Sequence, residues 1–256
     1  MITKRTRPAT ELREVTITPG YLKPPEGSAL IRAGDTMVVC TASVEDKVKD
    51  WMRGQGRGWI TAEYAMLPRA NASRGLREGQ FGRWPSSRSQ EIQRLIGRAL
   101  RGIVWPKRLG ERSITIDCDV LQADGGTRTA SITGGFVALA LALDRLRKAG
   151  KITSPPLKGL LAAVSVGLVD GEILLDLDYR EDSRARVDLN IAADDRGRIA
   201  DVQATAEGEA FEPQQLEQMT ALGLVGVASL VQAQRLVLEA AGVELGALIQ
   251  RPEDVK

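Results

Sequence analysis

The chain has 256 residues, no histidine, two cysteines and a formal net charge of +2 at pH 7, with 43% hydrophobic and 27% charged residues. That balance describes a soluble globular protein, and the missing histidines exclude a His-dependent triad, leaving carboxylates as the acid, base and metal-binding groups. Cys40 and Cys118 are too few for a disulfide scaffold or a Cys-rich zinc site and sit in apolar, strand-like settings, which suits buried thiols kept reduced in the cytoplasm.

No linker or low-complexity run divides the chain, so it reads as one domain, 1–256, made of two packed halves at about 7–150 and 151–248. Met1 to Arg7 are polar and basic and read as loosely held, with no signal peptide legible there. From Glu11 the text is β. Val15 and Ile17 alternate with Thr16 and Thr18, Pro19-Gly20 turns, and Ala29 to Arg32 extends; Gly34-Asp35 turns again, and further strands follow at Met37 to Val44 and Gly58 to Met66. Together they predict an antiparallel meander.

Pro68 to Ser87 shows neither period and carries Arg69, Arg74, Arg77 and Arg83, so it predicts a long, functional loop. It lies within a wider bias. Residues 53–108 hold twelve Arg or Lys against three acids, whereas 201–256 hold nine acids and three bases. Such asymmetry predicts a basic surface for a polyanion, unless the arginines pair with acids elsewhere in the fold. Arg69, Arg74 and Arg77 are the residues assigned to a polyanion's backbone, RNA in the reading reached below, because arginines on a loop neutralise phosphates without reading sequence. Trp84 is a candidate for stacking on a base or for simple packing.

Ser87-x-x-Gln90 reads as a capping box opening a helix to about Gly102, with Ile92, Leu95, Ile96, Ala99, Leu100 and Ile103 on one face. Arg88 then sits in the first helical turn, where helix end and guanidinium can both face an anion. Ser113 to Val120 alternates as a half-buried strand, and an Ala/Leu-rich helix from about Arg128 to Ala149 stops at Gly150. Between strand and helix lie Asp124, Gly125, Gly126, Thr127 and Arg128. Glycines let backbone amides approach a ligand, a helix N-terminus leaves amides unpaired, and the Thr hydroxyl and Arg fork add donors, so the stretch is a candidate phosphate seat. It is not a Walker loop, since no Gly-Lys-Ser/Thr closes it.

Leu160 to Val169 and Ile173 to Tyr179 flank an Asp170-Gly171 hairpin turn, and Arg186 to Ala192 and Ile199 to Ala206 form another pair. Helices follow at Pro213 to Leu222 and Val225 to Ala241. The apolar region 221–249 is broken by Gly223, Gly226, Gln232, Gln234, Arg235 and Glu239, so no membrane span is expected.

The segment Asp117-Cys118-Asp119-Val120-Leu121-Gln122-Ala123-Asp124-Gly125-Gly126-Thr127-Arg128-Thr129-Ala130-Ser131 closely resembles the signature of ribonuclease PH, a bacterial phosphorolytic exoribonuclease that trims the 3′ ends of tRNA precursors. Glu26-Gly27-Ser28, Gly34-Asp35-Thr36, Gly58 to Tyr64, Met66 to Arg69, Glu91 to Ile96 and Thr205 to Gly208 resemble that family in order, over roughly residues 7 to 240. The resemblance implies a ribosomal-protein-S5-domain-2-like α/β (α+β) fold with two similar sheet-and-helix halves, assembled as a homo-hexameric ring, a trimer of dimers. It also implies a phosphate site at Arg88, Gly126, Thr127 and Arg128. One departure stands out: the family usually has a glycine-rich run before the arginine matching Arg88, where this chain has Phe81-Gly82-Arg83-Trp84-Pro85-Ser86-Ser87.

Nucleotidyl transfer needs in-line oxygens, neutralised charge and usually a divalent cation, for which carboxylate oxygens suit Mg²⁺. Residues alone leave three candidate pairs open: Asp117 and Asp119, Asp176 and Asp178, Asp182 and Asp188. The first two read as polar positions on strands, and the third, about 20 Å apart on a straight strand, converges only if the chain bends, as Asp182-Ser183 allows. The resemblance selects Asp182 and Asp188 as catalytic residues and Mg²⁺ ligands, without saying which is the general acid. The implied reaction is attack by inorganic phosphate on the last phosphodiester of an RNA 3′ end, releasing nucleoside diphosphates reversibly. Its rivals are a catalytically silent RNA-binding ring subunit of an exosome-like assembly and a nuclease that uses water.

Overall fold

The computed structural model describes residues 5–77 and 85–254. A five-stranded sheet holds β1 (Val15–Pro19), β2 (Gly27–Ala33), β3 (Thr36–Glu45), β4 (Trp59–Met66) and β5 (Ser113–Gln122) in the order β1-β2-β3-β5-β4. β5 alternates as its sequence does: Ile114, Ile116, Cys118 and Val120 are buried while Asp119 is exposed. The expected meander holds only through β3. β5 inserts beside β3 in antiparallel register, and β4 lies parallel to β5 at the edge. Local alternation fixes which face of a strand is buried but not its neighbour, and helix α1 (Ser87–Gly102) supplies the crossover that a parallel pair requires.

The second sheet, in the order β7-β6-β8-β9, is built from β6 (Leu161–Val169), β7 (Glu172–Leu175), β8 (Ala185–Asp194) and β9 (Ile199–Ala206), all antiparallel. Asp170 and Gly171 both have positive φ, 51° and 87°, in the β6–β7 turn, as a two-residue hairpin requires. β7 is shorter than the expected strand to Tyr179. Asp176 takes φ 55° and turns the chain out of the sheet, after which Asp178 caps the single-turn helix α3 (Tyr179–Asp182).

Helix α2 (Thr127–Lys148) lies between the sheets and is buried on nearly every side, touching β2, β3, β5 and β6. Small residues permit the approach: a Cβ on Gly27 would stand 2.0 Å from the Ala138 carbonyl, and one on Gly134 would meet Ile31 and Cys40. Cys40 and Cys118 face each other across β3 and β5, buried and free, as packing residues do. Helix α4 (Pro213–Ala240) covers β6 and β8 and is followed by the short α5 (Leu245–Leu248). The two expected tail helices are one. Gly223 and Gly226 do not break it; they face the second sheet, where a Cβ would come 2.6 Å from Ile191 Cγ2 and 2.8 Å from Leu175 Cδ1 respectively. By length and composition α2 and α4 could each cross a membrane, but α2 is the core helix and α4 lays one face on the second sheet.

The N-terminal arm departs from expectation from Arg5 onward, Met1 to Lys4 lying outside the described residues. Arg5 and Arg7 are not loosely held: both bond the buried Glu181, and Ala9 accepts a hydrogen bond from the Leu175 amide at 2.8 Å. Residues that precede the first sheet are thereby fastened to the second. α1 also begins differently, since its cap is Ser86 rather than Ser87. The Ser86 hydroxyl accepts from the Ser89 amide at 3.1 Å.

Candidate active site

Two consecutive left-handed glycines, Gly125 at φ 73° and Gly126 at φ 66°, turn the end of β5 into α2. A Cβ on Gly125 would stand 2.5 Å from the Leu177 carbonyl, so only glycine lets this loop lie against the segment leading into α3. Thr36, fully buried, fixes the loop from below: its hydroxyl donates to the Gly125 carbonyl at 2.7 Å and accepts from the Asp124 amide at 2.9 Å. Gly126 caps α2 without a side chain, which leaves the first amides of a 22-residue helix for a ligand.

Thr127 is buried, and its hydroxyl lies 2.8 Å from that of Tyr64 on β4. Burial pushes the Tyr64 phenol up, against the hydrogen bond with Thr127 and the charges of Arg88 and Arg128. Tyr64 is thus a neighbour of both arginines that joins the edge strand to the helix start. Arg128 makes a loose ion pair with Glu91 at 3.9 Å. Arg88, in the first turn of α1, is exposed and has no ion pair among the described residues.

The chain does bend between Asp182 and Asp188. Asp182 closes α3, Ser183 and Arg184 form the turn, and β8 then carries Asp188. Asp182 keeps one side open to solvent, yet the protein covering its other sides withholds enough water to raise its pKa, against the charges of Arg128 and Arg88. Asp188 is raised too, first by burial and then by the negative charge of Asp182, with Arg128, a 3.0 Å hydrogen bond from Asn190, and Arg88 opposing. Arg88, Arg128, Asp182 and Asp188 therefore lie within electrostatic reach of one another beside the uncapped end of α2.

The other aspartates are placed elsewhere. Asp176 is not on a sheet face: it is buried against Arg13, whose guanidinium meets it at 2.7 Å. Burial opposes Asp176 ionisation, but the hydrogen bond and charge of Arg13 prevail and hold its carboxyl below the usual range. Asp178 accepts from the Glu181 amide at 2.9 Å as the cap of α3. Asp117 and Asp119 remain on the outer face of the first sheet, in a cleft with Glu63 and Gln93. Burial and then Asp119 push Asp117 up, with neither Arg88 nor Arg128 acting on it.

Arg69, Arg74 and Arg77 are exposed on the segment after β4, with no ion pair among the described residues, and Arg77 acts electrostatically on Asp119. Arg83 and Trp84 lie outside the described residues. Sequence reading missed Arg13, which bridges the Asp124 carbonyl at 2.5 Å and Asp176, and so joins the glycine loop to the chain entering α3. Its partner is 163 positions away, and no local signal marks it.

Magnesium fits the two carboxylates in kind. Their mutual repulsion is what a cation relieves, and Mg²⁺ is commonly held by one or two carboxylates with water and phosphate oxygens completing its shell. No group of three or more candidate ligands forms among the described residues.

A helix end with uncapped amides, arginines on one side and paired acids on the other, is an arrangement suited to phosphate chemistry. The chain belongs to the 3′ exoribonuclease family, matching its domain 1 over residues 11–143 and its domain 2 over 159–226. Three solved structures share the fold. Rice (Oryza sativa) Rrp46 aligns at TM-score 0.74 and 18% identity, over 91% of this chain and 98% of that one. An Archaeoglobus fulgidus exosome with RNA bound to the active site aligns at 0.73 and 21%, over 88% and 90%. An archaeal exosome core aligns at 0.70 and 20%, over 90% and 89%.

Proposed function

We propose that the chain is a phosphate-dependent 3′ to 5′ exoribonuclease of the ribonuclease PH type, acting on single-stranded RNA 3′ ends such as those of tRNA precursors. The observation that carries this reading is the mutual electrostatic influence of Arg88, Arg128, Asp182 and Asp188 beside the uncapped N-terminus of α2. Inorganic phosphate is bound by the Gly126–Arg128 amides, the Thr127 hydroxyl and the two guanidinium forks, which suit its oxygens. A phosphate oxygen attacks the terminal phosphodiester phosphorus, the bond to the 3′ oxygen breaks, and that oxygen takes a proton. The products are a nucleoside diphosphate and an RNA one residue shorter. Because one phosphoanhydride replaces one diester, the reverse addition is expected as well.

An aspartic acid with a raised pKa suits the proton donor, and Asp182 and Asp188 both qualify. Mg²⁺ would be held through the carboxylate of the pair that is not donating the proton, and would supply charge neutralisation at the scissile phosphate. Arg69, Arg74 and Arg77 bind the RNA backbone, and the homo-hexameric ring belongs to the same proposal.

A second reading has its own support. The similar structures named above are exosome proteins, so a silent RNA-binding subunit of an exosome-like ring fits the overall likeness at least as well. Retention of both arginines and both aspartates favours turnover. Arg128→Met separates the two: the enzyme reading expects KM for phosphate to rise about tenfold or more with RNA affinity nearly unchanged, as loss of a charged hydrogen bond implies. Unchanged phosphate dependence sinks the assignment.

A further inference from the structure

We propose that residues 5–13 form a positioning strap for Asp182, in which Arg5 and Arg7 act through Glu181; the inference rests on the reading of Asp182 as part of the reaction site. α3 is a four-residue helix. One turn fixes several backbone angles for few hydrogen bonds and is not stable by itself, so its position must be set by other contacts.

Those contacts converge on Glu181. Within the turn, its carboxylate accepts from the Asp178 amide at 3.0 Å while its own amide donates to Asp178 at 2.9 Å. From outside, Arg5 Nη1 donates to both Glu181 oxygens at 3.0 Å, and Arg7 Nη2 donates to Oε2 at 3.2 Å. Arg5 also ties the arm to the end of β7. Its Nη2 donates to the Leu175 carbonyl at 2.9 Å, to Pro8 at 3.0 Å and to Glu11 at 3.1 Å. Arg7 bonds the carbonyl of Asp176, the residue that turns the chain out of the sheet.

Glu181 and Asp182 are consecutive, so about 100° of helix separates their directions. Glu181 points inward, 4% exposed, and Asp182 points outward into the field of Arg88 and Arg128. Anchoring the first therefore fixes the rotation of the second. The charges that act most on Asp182 and Asp188 are those of Arg128 and Arg88 and, on Asp188, of Asp182, whereas Arg5 and Arg7 bond Glu181, so the strap acts through position.

The test compares the intact protein with Arg5→Met/Arg7→Met and with Glu181→Gln, which keeps the size of the side chain if the double variant folds poorly. Four quantities are read: amide hydrogen exchange across 179–184, kcat, KM for phosphate, and RNA affinity. Faster exchange confined to that segment is expected, with kcat about tenfold or more lower, as a misplaced reacting group implies, and KM for phosphate and RNA affinity unchanged. Arg5→Lys/Arg7→Lys, which keeps the charge, is expected to recover part of kcat. Faster exchange with kcat unchanged overturns the proposal, as does a joint loss of kcat, phosphate affinity and RNA affinity, which marks a general staple. Should the unsubstituted protein release no nucleotide, the reaction reading fails instead. Exchange then decides the strap alone, unchanged protection in the variants overturning it.

Discussion

Asp188 shows how burial and charge set the behaviour of one residue. Burial, then Asp182, disfavour its ionised form, so the folded state holds the proton more tightly than the unfolded chain does. The sign follows from linkage: this contribution to stability is present below the unfolded pKa and is lost as pH rises through the raised folded value. At neutral pH the Asp188 charge therefore costs stability. Asp188→Asn is expected to abolish nucleotide release while raising the thermal midpoint at pH 7, the gain vanishing in acid. A lower midpoint at pH 7 would show that attraction to Arg128 and Arg88 outweighs burial. Asp182, Asp188, Arg88 and Arg128 were legible in the sequence through motifs that resemble ribonuclease PH. Arg13 and Tyr64 were not legible as site residues, because what defines them is a partner 163 and 63 positions away. Nor was the placement of Asp176 and Asp178 away from a sheet face legible. Their spacing suits a strand, and only the positive φ at Asp176 takes them off it.

Elements were read best where one face is apolar and worst where glycine intervenes. α1 shows its face plainly, and Ile92, Leu95, Ile96, Ala99 and Leu100 are all buried as the period requires. α4 was divided in reading because glycine punctuates a sequence, whereas Gly223 and Gly226 serve its approach to the second sheet. In the proposed reading the start of α1 matters most, since it carries Arg88. Ser86→Ala removes the hydroxyl that accepts the Ser89 amide and should cost about 1 kcal/mol of stability. Fraying of that turn displaces Arg88, so KM for phosphate should rise while the Arg69, Arg74 and Arg77 surface still binds RNA. A lower thermal midpoint with KM for phosphate unchanged would remove Arg88 from the phosphate site.

On the scale of the molecule, the two sheets close on α2, and the site forms where the helix start, the glycine loop and α3 meet. Contributions from both halves explain why sequence order alone did not assemble it. Alternation predicted most strands, but the insertion of β5 between β3 and β4 depends on the α1 crossover and on packing against α2. The arm was misread for a related reason: polar, basic residues suggest solvent, and only the fold brings the buried Glu181 to Arg5 and Arg7. The acidic outer face of the first sheet, with Asp117 and Asp119, stays apart from the arginine pair.

Purified protein incubated with a short 3′-extended RNA and Mg²⁺, with and without inorganic phosphate, tests the central claim most directly when the released nucleotides are identified. The phosphorolytic reading predicts nucleoside diphosphates, formed only when phosphate is present. Nucleoside monophosphates released without phosphate would contradict it in favour of hydrolysis, and RNA bound but intact under both conditions would contradict it in favour of a silent subunit.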